Sequence, residues 1–532
     1  MTHHRVALTA ALLFLPACGS ETGSPPAGPA TTGSAGANST GSTSTSAGSG
    51  GNGTITSTGS GGETTGTAGS GSGGASDSGA TGGSSVLDGS FARDALAPGE
   101  CSDKGPDPTP KSPFVKANPI DMRFPFSTHW MGMFNDDTSK AHCISMTSLT
   151  DIDNDGDQDF ASGQRDVACS GSANPGAPMI WWEYCSPDHW VKHVVGTGYH
   201  SAAAGGAADF DGDGWIDLVA GDSWFKNPGG GVKTSGPWTR YGTGAPGITE
   251  EITVGDLNAD GKLDALYLVR DINPQWWTPG ADATKNWNRT ILSAYNQQQG
   301  GSIGDLDGDG RNDAVAGDRW WYKSPPVGGT WMPMPLPASN DFAPGAPAAG
   351  SAPLTTMADI DGDGDLDIVM STHWGYNVAW IENRDGKGTM LAVHMIAGPN
   401  APFPARTAVL HNVLAYDFDN DGDIDVSVAE NVGTLWMFEN TNGKGTFAEH
   451  KVAVGPGHEA RAADVDCDGD LDIVGKSWSD PNDGAAGRTE IVALLGHHVY
   501  YKNELVERGG TPVFTRPKGE VWNVPNRGSC KR

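Results

Sequence analysis

The nine residues from Asp151 to Asp159, D-I-D-N-D-G-D-Q-D, put a carboxylate at every odd position of a short loop. A hard divalent cation such as Ca²⁺ takes six to eight oxygens. Side chains at positions 1, 3 and 5, a backbone carbonyl at 7 and a carboxylate at 9 can reach one such ion. Gly156 at position 6 permits the sharp bend. The pattern D-x-[DN]-x-D-G-x-x-D occurs seven times, starting at Asp151, Asp209, Asp256, Asp305, Asp359, Asp417 and Asp464.

On this register the candidate metal ligands of the first loop are Asp151, Asp153, Asp155, Asp157 and Asp159, and of the second Asp209, Asp211, Asp213, Trp215 and Asp217. The third has Asp256, Asn258, Asp260, Lys262 and Asp264, and the fourth Asp305, Asp307, Asp309, Arg311 and Asp313. The fifth has Asp359, Asp361, Asp363, Asp365 and Asp367, and the sixth Asp417, Asp419, Asp421, Asp423 and Asp425. The seventh has Asp464, Asp466, Asp468, Asp470 and Asp472. At position 7 only the backbone carbonyl is meant, so Trp215, Lys262 and Arg311 are compatible with the role.

A single copy reads equally as an Asp/Gly turn that binds nothing. Seven copies in one register favour ions, because carboxylates this crowded repel unless a cation sits among them. The expectation is up to seven structural Ca²⁺. An EF-hand is excluded by position 12, where it needs Glu. Here that position is Ser162, Ala220, Tyr267, Ala316, Met370, Val428 and Gly475.

The elements around each loop are strands. An apolar run such as Asp217-Leu218-Val219-Ala220 or Asp367-Ile368-Val369-Met370 follows the loop, and its length and branching suit a buried strand. A Trp-rich strand comes next, as in Trp181-Trp182-Glu183, Trp224-Phe225-Lys226-Asn227 and Trp380-Ile381-Glu382-Asn383. Loop starts lie 58, 47, 49, 54, 58 and 47 residues apart. Four short strands at that period describe a propeller blade. The predicted fold is therefore all-β, a seven-bladed β-propeller with four-stranded blades over residues 142–532. Aromatics recurring in register are expected to pack between blades.

The repeats resemble the FG-GAP/VCBS repeat family, calcium-loop propellers found in integrin α-subunits, some fungal lectins and some bacterial polysaccharide lyases. The resemblance covers about 380 residues and rests on D-x-D-x-D-G-x-x-D followed by Ile, Leu or Val; the Phe-Gly and Gly-Ala-Pro signatures are largely missing. It implies calcium loops and a closed ring. Because the family's functions are diverse, it does not choose among them.

Ahead of the ring, Arg5 precedes an apolar run from Val6 to Leu15 that is too short to span a bilayer. Leu15-Pro16-Ala17-Cys18 resembles a bacterial lipoprotein lipobox, which implies a signal peptide over 1–18 and lipidation of Cys18. Residues 19–85 are mostly Gly, Ser, Thr and Ala, a composition that cannot build a core. Their 67 residues make a disordered tether with a reach of about 45 Å. Gly19 after the cysteine favours the outer membrane or cell surface. Residues 86–141 are expected to be transitional, packing on the propeller and covering or closing its first blade.

The net charge of −30 opposes binding to nucleic acid or anionic lipid. Of the 64 acidic residues, 31 stand at odd loop positions, so much of the charge is set aside for ions. Six cysteines besides Cys18 permit disulfides. Sequence alone does not fix their connectivity. The expected pairs are Cys169 with Cys185, Cys143 with Cys467 across the ring seam, and Cys101 with Cys530.

The face opposite the loops is expected to hold the ligand site, with His373, Trp374, His411, His458, Arg461 and Trp478 as candidates near His200, Glu251, Glu459 and Lys476. A solvated polar rim is the plainer reading, since no triad or carboxylate pair can be read there. The favoured function is a lipid-anchored, calcium-stabilised module that binds a glycan or protein at the cell surface without catalysis. The alternative is a polysaccharide lyase or sugar dehydratase, with His411 or His458 as base and Arg461 stabilising an enolate.

Overall fold

The structure, a computed structural model, describes residues 117–133, 144–164, 178–199, 205–245, 251–268, 272–293, 300–317, 320–326, 328–337, 353–372, 377–398, 401–404, 410, 412–430, 432–477, 497–521 and 530. Their strands form seven antiparallel sheets of four strands each. No helix occurs among them. The expected all-β, seven-bladed architecture is the one observed.

The first blade is Ile144–Thr150, Asp159–Gln164, Pro178–Ser186 and His189–Thr197, paired in that order. Blades two to six follow the same meander over 205–242, 251–291, 301–335, 353–397 and 414–456. In each, the strand after the acidic loop is buried on both faces, which explains its continuous apolar sequence.

Seven buried apolar clusters lie between successive blades, and the last of them joins the seventh blade to the first. In that seam Trp182, Phe160 and Trp190 meet Tyr500 and Val474. The ring is closed by packing, and Trp181, Trp182, Trp224 and Trp321 are core residues as expected.

The seventh blade is built differently. Its inner three strands are His458–Ala463, Asp472–Lys476 and His497–Asn503, and its outermost is Phe126–Met133 from the chain's amino-terminal side. That strand pairs from Phe126 with Asn503 to Met133 with His497. The segment expected to cover or close the first blade therefore completes the seventh. It still meets the first, where Gly132 faces the Trp182 ring so closely that a Cβ would lie 2.4 Å from it.

Of the cysteines, Cys467 and Cys530 are bonded to each other, with S–S 2.08 Å. This corrects two expected pairs, Cys143 with Cys467 and Cys101 with Cys530. Neighbouring positions in the ring were a poor guide, because the carboxy-terminal segment folds back to the seventh loop. Cys185 is also disulfide-bonded. Its expected partner Cys169, together with Cys101, Cys143, Cys18 and the signal and tether segments, lies outside the described residues.

Candidate metal and ligand sites

Each acidic loop joins the inner strand of a blade to the second strand, and contacts between neighbours set the loops side by side. Asn154 donates from Nδ2 to the Gly214 carbonyl at 3.1 Å, and Asn420 to the Gly469 carbonyl at 3.0 Å. Within a loop the carboxylates organise the backbone. Asp209 accepts from the amides of Gly212, Asp213 and Gly214 at 2.7, 3.0 and 2.8 Å. Asp359 accepts from Asp363 and Gly364, and Asp417 from Asp421 and Gly422. These are Asx-type turns extended around a point.

Position 9 is the best anchored. Asp217 accepts from Phe210 N within its loop at 3.1 Å and from Asn227 N just past the third strand at 2.8 Å. Asp367 and Asp425 repeat the arrangement with Asn383 and Asn440, and Asp472 with Asn503. Burial pushes Asp217 and Asp367 up to about 8, and Asp264 and Asp313 up to about 7. Burial, with the neighbouring loop carboxylates, also holds Asp159, Asp425 and Asp472 well above the usual carboxylate range.

Carboxylate oxygens at positions 1, 3 and 9 converge. The sets Asp151/Asp153/Asp159, Asp209/Asp211/Asp217, Asp305/Asp307/Asp313, Asp359/Asp361/Asp367 and Asp417/Asp419/Asp425 each gather three within 4.8 Å of one another. Oxygens bonded at about 2.4 Å to one ion are separated by at most about twice that distance. The donors are all oxygen and partly buried, which matches a hard divalent cation rather than a soft transition metal. These clusters are able to hold a metal ion.

The third loop has the least charge. Asn258 Oδ1 accepts from Asp260 N at 2.8 Å, so the turn survives the loss of one carboxylate. At position 7 the side chains of Asp157 and Asp470 are buried, and burial is the main reason Asp157 is pushed up to about 9. Trp215, Lys262 and Arg311 hold that position in loops two to four, Arg311 turning its guanidinium to Asp309.

On the opposite side, His458 and Arg461 of the seventh blade come together with Glu459, Lys476 and, from the third blade, Glu251. Lys476 Nζ lies 3.1 Å from Glu459 Oε2 and 3.2 Å from His458 Nδ1. Arg461 Nη2 stands 3.9 Å from Glu251 Oε1. Glu459 has a left-handed φ of +51° within the bulge that displaces His458 from Arg461. Burial lowers Lys476 to about 8 and raises Glu459 to about 7. His458, expected as a base at an open mouth, is buried. His373, Trp374, His411, Trp478 and His200 lie outside the described residues.

Sequence reasoning missed a Ser–His–Asp chain. Ser127 Oγ lies 2.9 Å from His129 Nε2, and His129 Nδ1 lies 2.8 Å from Asp188 Oδ1. Ser127 has no exposed surface, so the chain acts as a clasp between the outer strand of blade seven and a turn of blade one. Fifty-nine residues separate His129 from Asp188, and no local motif marks the pairing.

A family model described as an FG-GAP-like repeat matches residues 209–267 and 417–475, the second-to-third and sixth-to-seventh loop regions. Over these two stretches the chain is similar to FG-GAP-like repeats. Each match begins at position 1 of an acidic loop, and the same loop opens the second strand of all seven blades.

No curated protein matches the chain. Among solved structures, the chain is similar to the V. cholerae biofilm matrix protein Bap1, at 11% identity and a TM-score of 0.43 over 75% of this chain and 96% of that one. YCF48 bound to D1 peptide aligns at 12% identity and 0.39, over 72% and 97%. The fucose-specific lectin from Aleuria aurantia aligns at 13% and 0.34, over 59% and 97%.

Proposed function

We infer that this propeller binds calcium in its acidic loops and serves as an exported, lipid-anchored binding module for a glycan or protein at the bacterial outer membrane or cell surface. The observation that carries the calcium reading is the repeated convergence of three carboxylate oxygens within 4.8 Å at the same loop positions. Ions held there stabilise only the folded ring. The anchor reading rests on the Cys18 sequence, and the partner reading on the partly buried Arg461 and Glu251, which offer a cation and a carboxylate to one ligand.

Calcium titration with thermal melting tests the first part: chelation lowers Tm, and an unchanged Tm overturns the assignment. A glycan array probed with the native chain and Arg461→Ala tests the second. Calcium-dependent binding weakened by the substitution supports a site beside Arg461, whereas equal binding by both moves it elsewhere.

A second reading, lyase or dehydratase chemistry, draws on Lys476 and Glu459, both titrating near neutrality and hence suited to proton transfer. Unsaturated sugar products that disappear in Glu459→Gln would favour it over binding alone.

A further inference from the structure

Six blades place a charged residue at one register of the third strand, just before the residue whose amide bonds the position-9 aspartate. It is lysine in blades two, four and seven (Lys226, Lys323, Lys502) and glutamate in blades one, five and six (Glu183, Glu382, Glu439). All three lysines reach the carboxylates at positions 3 and 5 of their own loop. Lys226 contacts Asp211, and Asp213 at 2.6 Å; Lys323 contacts Asp307, and Asp309 at 3.0 Å; Lys502 contacts Asp466, and Asp468 at 2.9 Å.

Where the register holds glutamate, the cation comes from elsewhere yet lands on the same pair. Lys233, from beyond the third strand of blade two, lies 2.6 Å from Asp153 and 3.3 Å from Asp155, and Glu183 grips it at 2.7 Å. Arg123, ahead of the first strand, lies 2.5 Å from Asp419 and 3.0 Å from Asp421, and Glu439 grips it at 2.7 Å. Three separate routes through the chain thus deliver positive charge to one place, and loop four has Arg311 on Asp309 as well. Blade five departs from the pattern. Glu382 turns to Arg384 at 2.8 Å and His394 at 2.7 Å, and among the described residues no lysine or arginine pairs with the five carboxylates of that loop. Lys444 bonds to the Asp361 carbonyl and attracts the Asp361 and Asp423 carboxylates without pairing with either.

We propose that Lys226, Lys323, Lys502, Lys233 and Arg123 are built-in counter-cations, which hold five loops together without a divalent ion and leave the blade-five loop dependent on one. The naming of that ion rests on the calcium reading above. A side-chain ammonium on the position-3 carboxylate offsets repulsion within the loop, and it also repels an incoming ion that must share that carboxylate. Among the described residues, blade five has no cation bonded to its position-3 and position-5 pair; Lys518 and Lys444 act on Asp359 and Asp361 only from a distance. The third loop has only three carboxylates and so the least repulsion to relieve.

The test compares melting in excess calcium and in EDTA, with calorimetric calcium titration, for the native chain, Lys226→Met/Lys323→Met and Glu382→Lys. The double variant is expected to lose stability only in EDTA and to gain two sites at least about tenfold tighter. Glu382→Lys is expected to shrink the loss on chelation and weaken the tightest native site. Equal destabilisation of the double variant in both conditions overturns the proposal, because it marks ordinary ion pairs; so does an unchanged chelation loss in Glu382→Lys. Either variant decides the matter if the other does not fold. A native chain indifferent to EDTA beside a double variant that needs calcium would sink the calcium reading for the native loops and the dependence of blade five, while upholding the counter-cations. Indifference in every chain overturns both.

Discussion

Position 4 of the acidic loop carries a demand that the ligand positions hide. Its φ is +63° at Asn154, +58° at Ala259, +60° at Asn420 and +63° at Cys467, and +78°, +71° and +65° at Gly212, Gly308 and Gly362. All seven loops are left-handed there, a conformation that glycine and asparagine adopt readily and alanine does not. Ala259 is the misfit. Ala259→Asn is expected to stabilise the protein by about 1 kcal/mol in chemical denaturation, because asparagine relieves the backbone strain. It also offers Nδ2 to the next loop, as Asn154 does to Gly214. A midpoint at or below the native one would contradict this. The requirement was legible in the sequence, since position 4 is Asn or Gly in five loops, but reading the loop for its ligands passed over it. Cys467 shows what such a reading cannot reach. Its sulfur lies 3.2 Å from the Gly156 carbonyl, where Asn would donate, and its bond is to Cys530 rather than to the neighbouring loop.

At the scale of the strand and its neighbours, the blades are stapled by asparagine. Asn227, Asn383, Asn440 and Asn503 close the third strand, and each donates from Nδ2 to the position-2 carbonyl of the preceding blade's loop: Ile152, Leu306, Ile360 and Phe418, at 2.9, 2.8, 2.8 and 3.0 Å. Asn440 gives a second bond to Ile424 O at 3.2 Å and accepts from Gly445 N at 3.1 Å. With Asn440 fully buried, Asn440→Leu leaves two carbonyls and an amide without this partner and is expected to cost about 3 kcal/mol. Loss of under about 0.5 kcal/mol in a denaturation midpoint would mean water replaces the amide without penalty. The strings W-F-K-N, W-I-E-N and Y-K-N stand plainly in the sequence, yet their partners lie 75 to 85 residues away on another blade. Period and apolar pattern revealed the strand; its cross-blade bond depends on the ring being built. The outer strand of blade seven was hidden for the same reason. Nothing in Phe126–Met133 marks its partner as His497–Asn503 rather than the first blade that follows it in sequence.

For the whole ring, the acidic loops make stability a contest between protons and ions. Without ions, the buried position-9 carboxylates titrate high, Asp217 and Asp367 at about 8 and Asp264 and Asp313 at about 7, against about 3.9 in the unfolded chain. A carboxylate raised by folding favours the folded state while protonated. That contribution is complete below about pH 4 and is lost as pH climbs through 7 to 8. The ion-free ring should therefore become less stable from pH 5 to pH 8. Calcium works in the opposite sense, because it takes the ionised carboxylates and must displace any proton it finds. Its stabilisation should be small at pH 5 and large at pH 8, so that melting curves with and without calcium diverge as pH rises. Scanning calorimetry of dialysed and calcium-loaded protein across that range measures both slopes. An ion-free ring that gains stability toward pH 8 would show that the buried aspartates are ionised in the fold without an ion. Asp367 would then stand ionised in a loop with neither an ion nor, among the described residues, a bonded side-chain cation, against the dependence proposed for blade five.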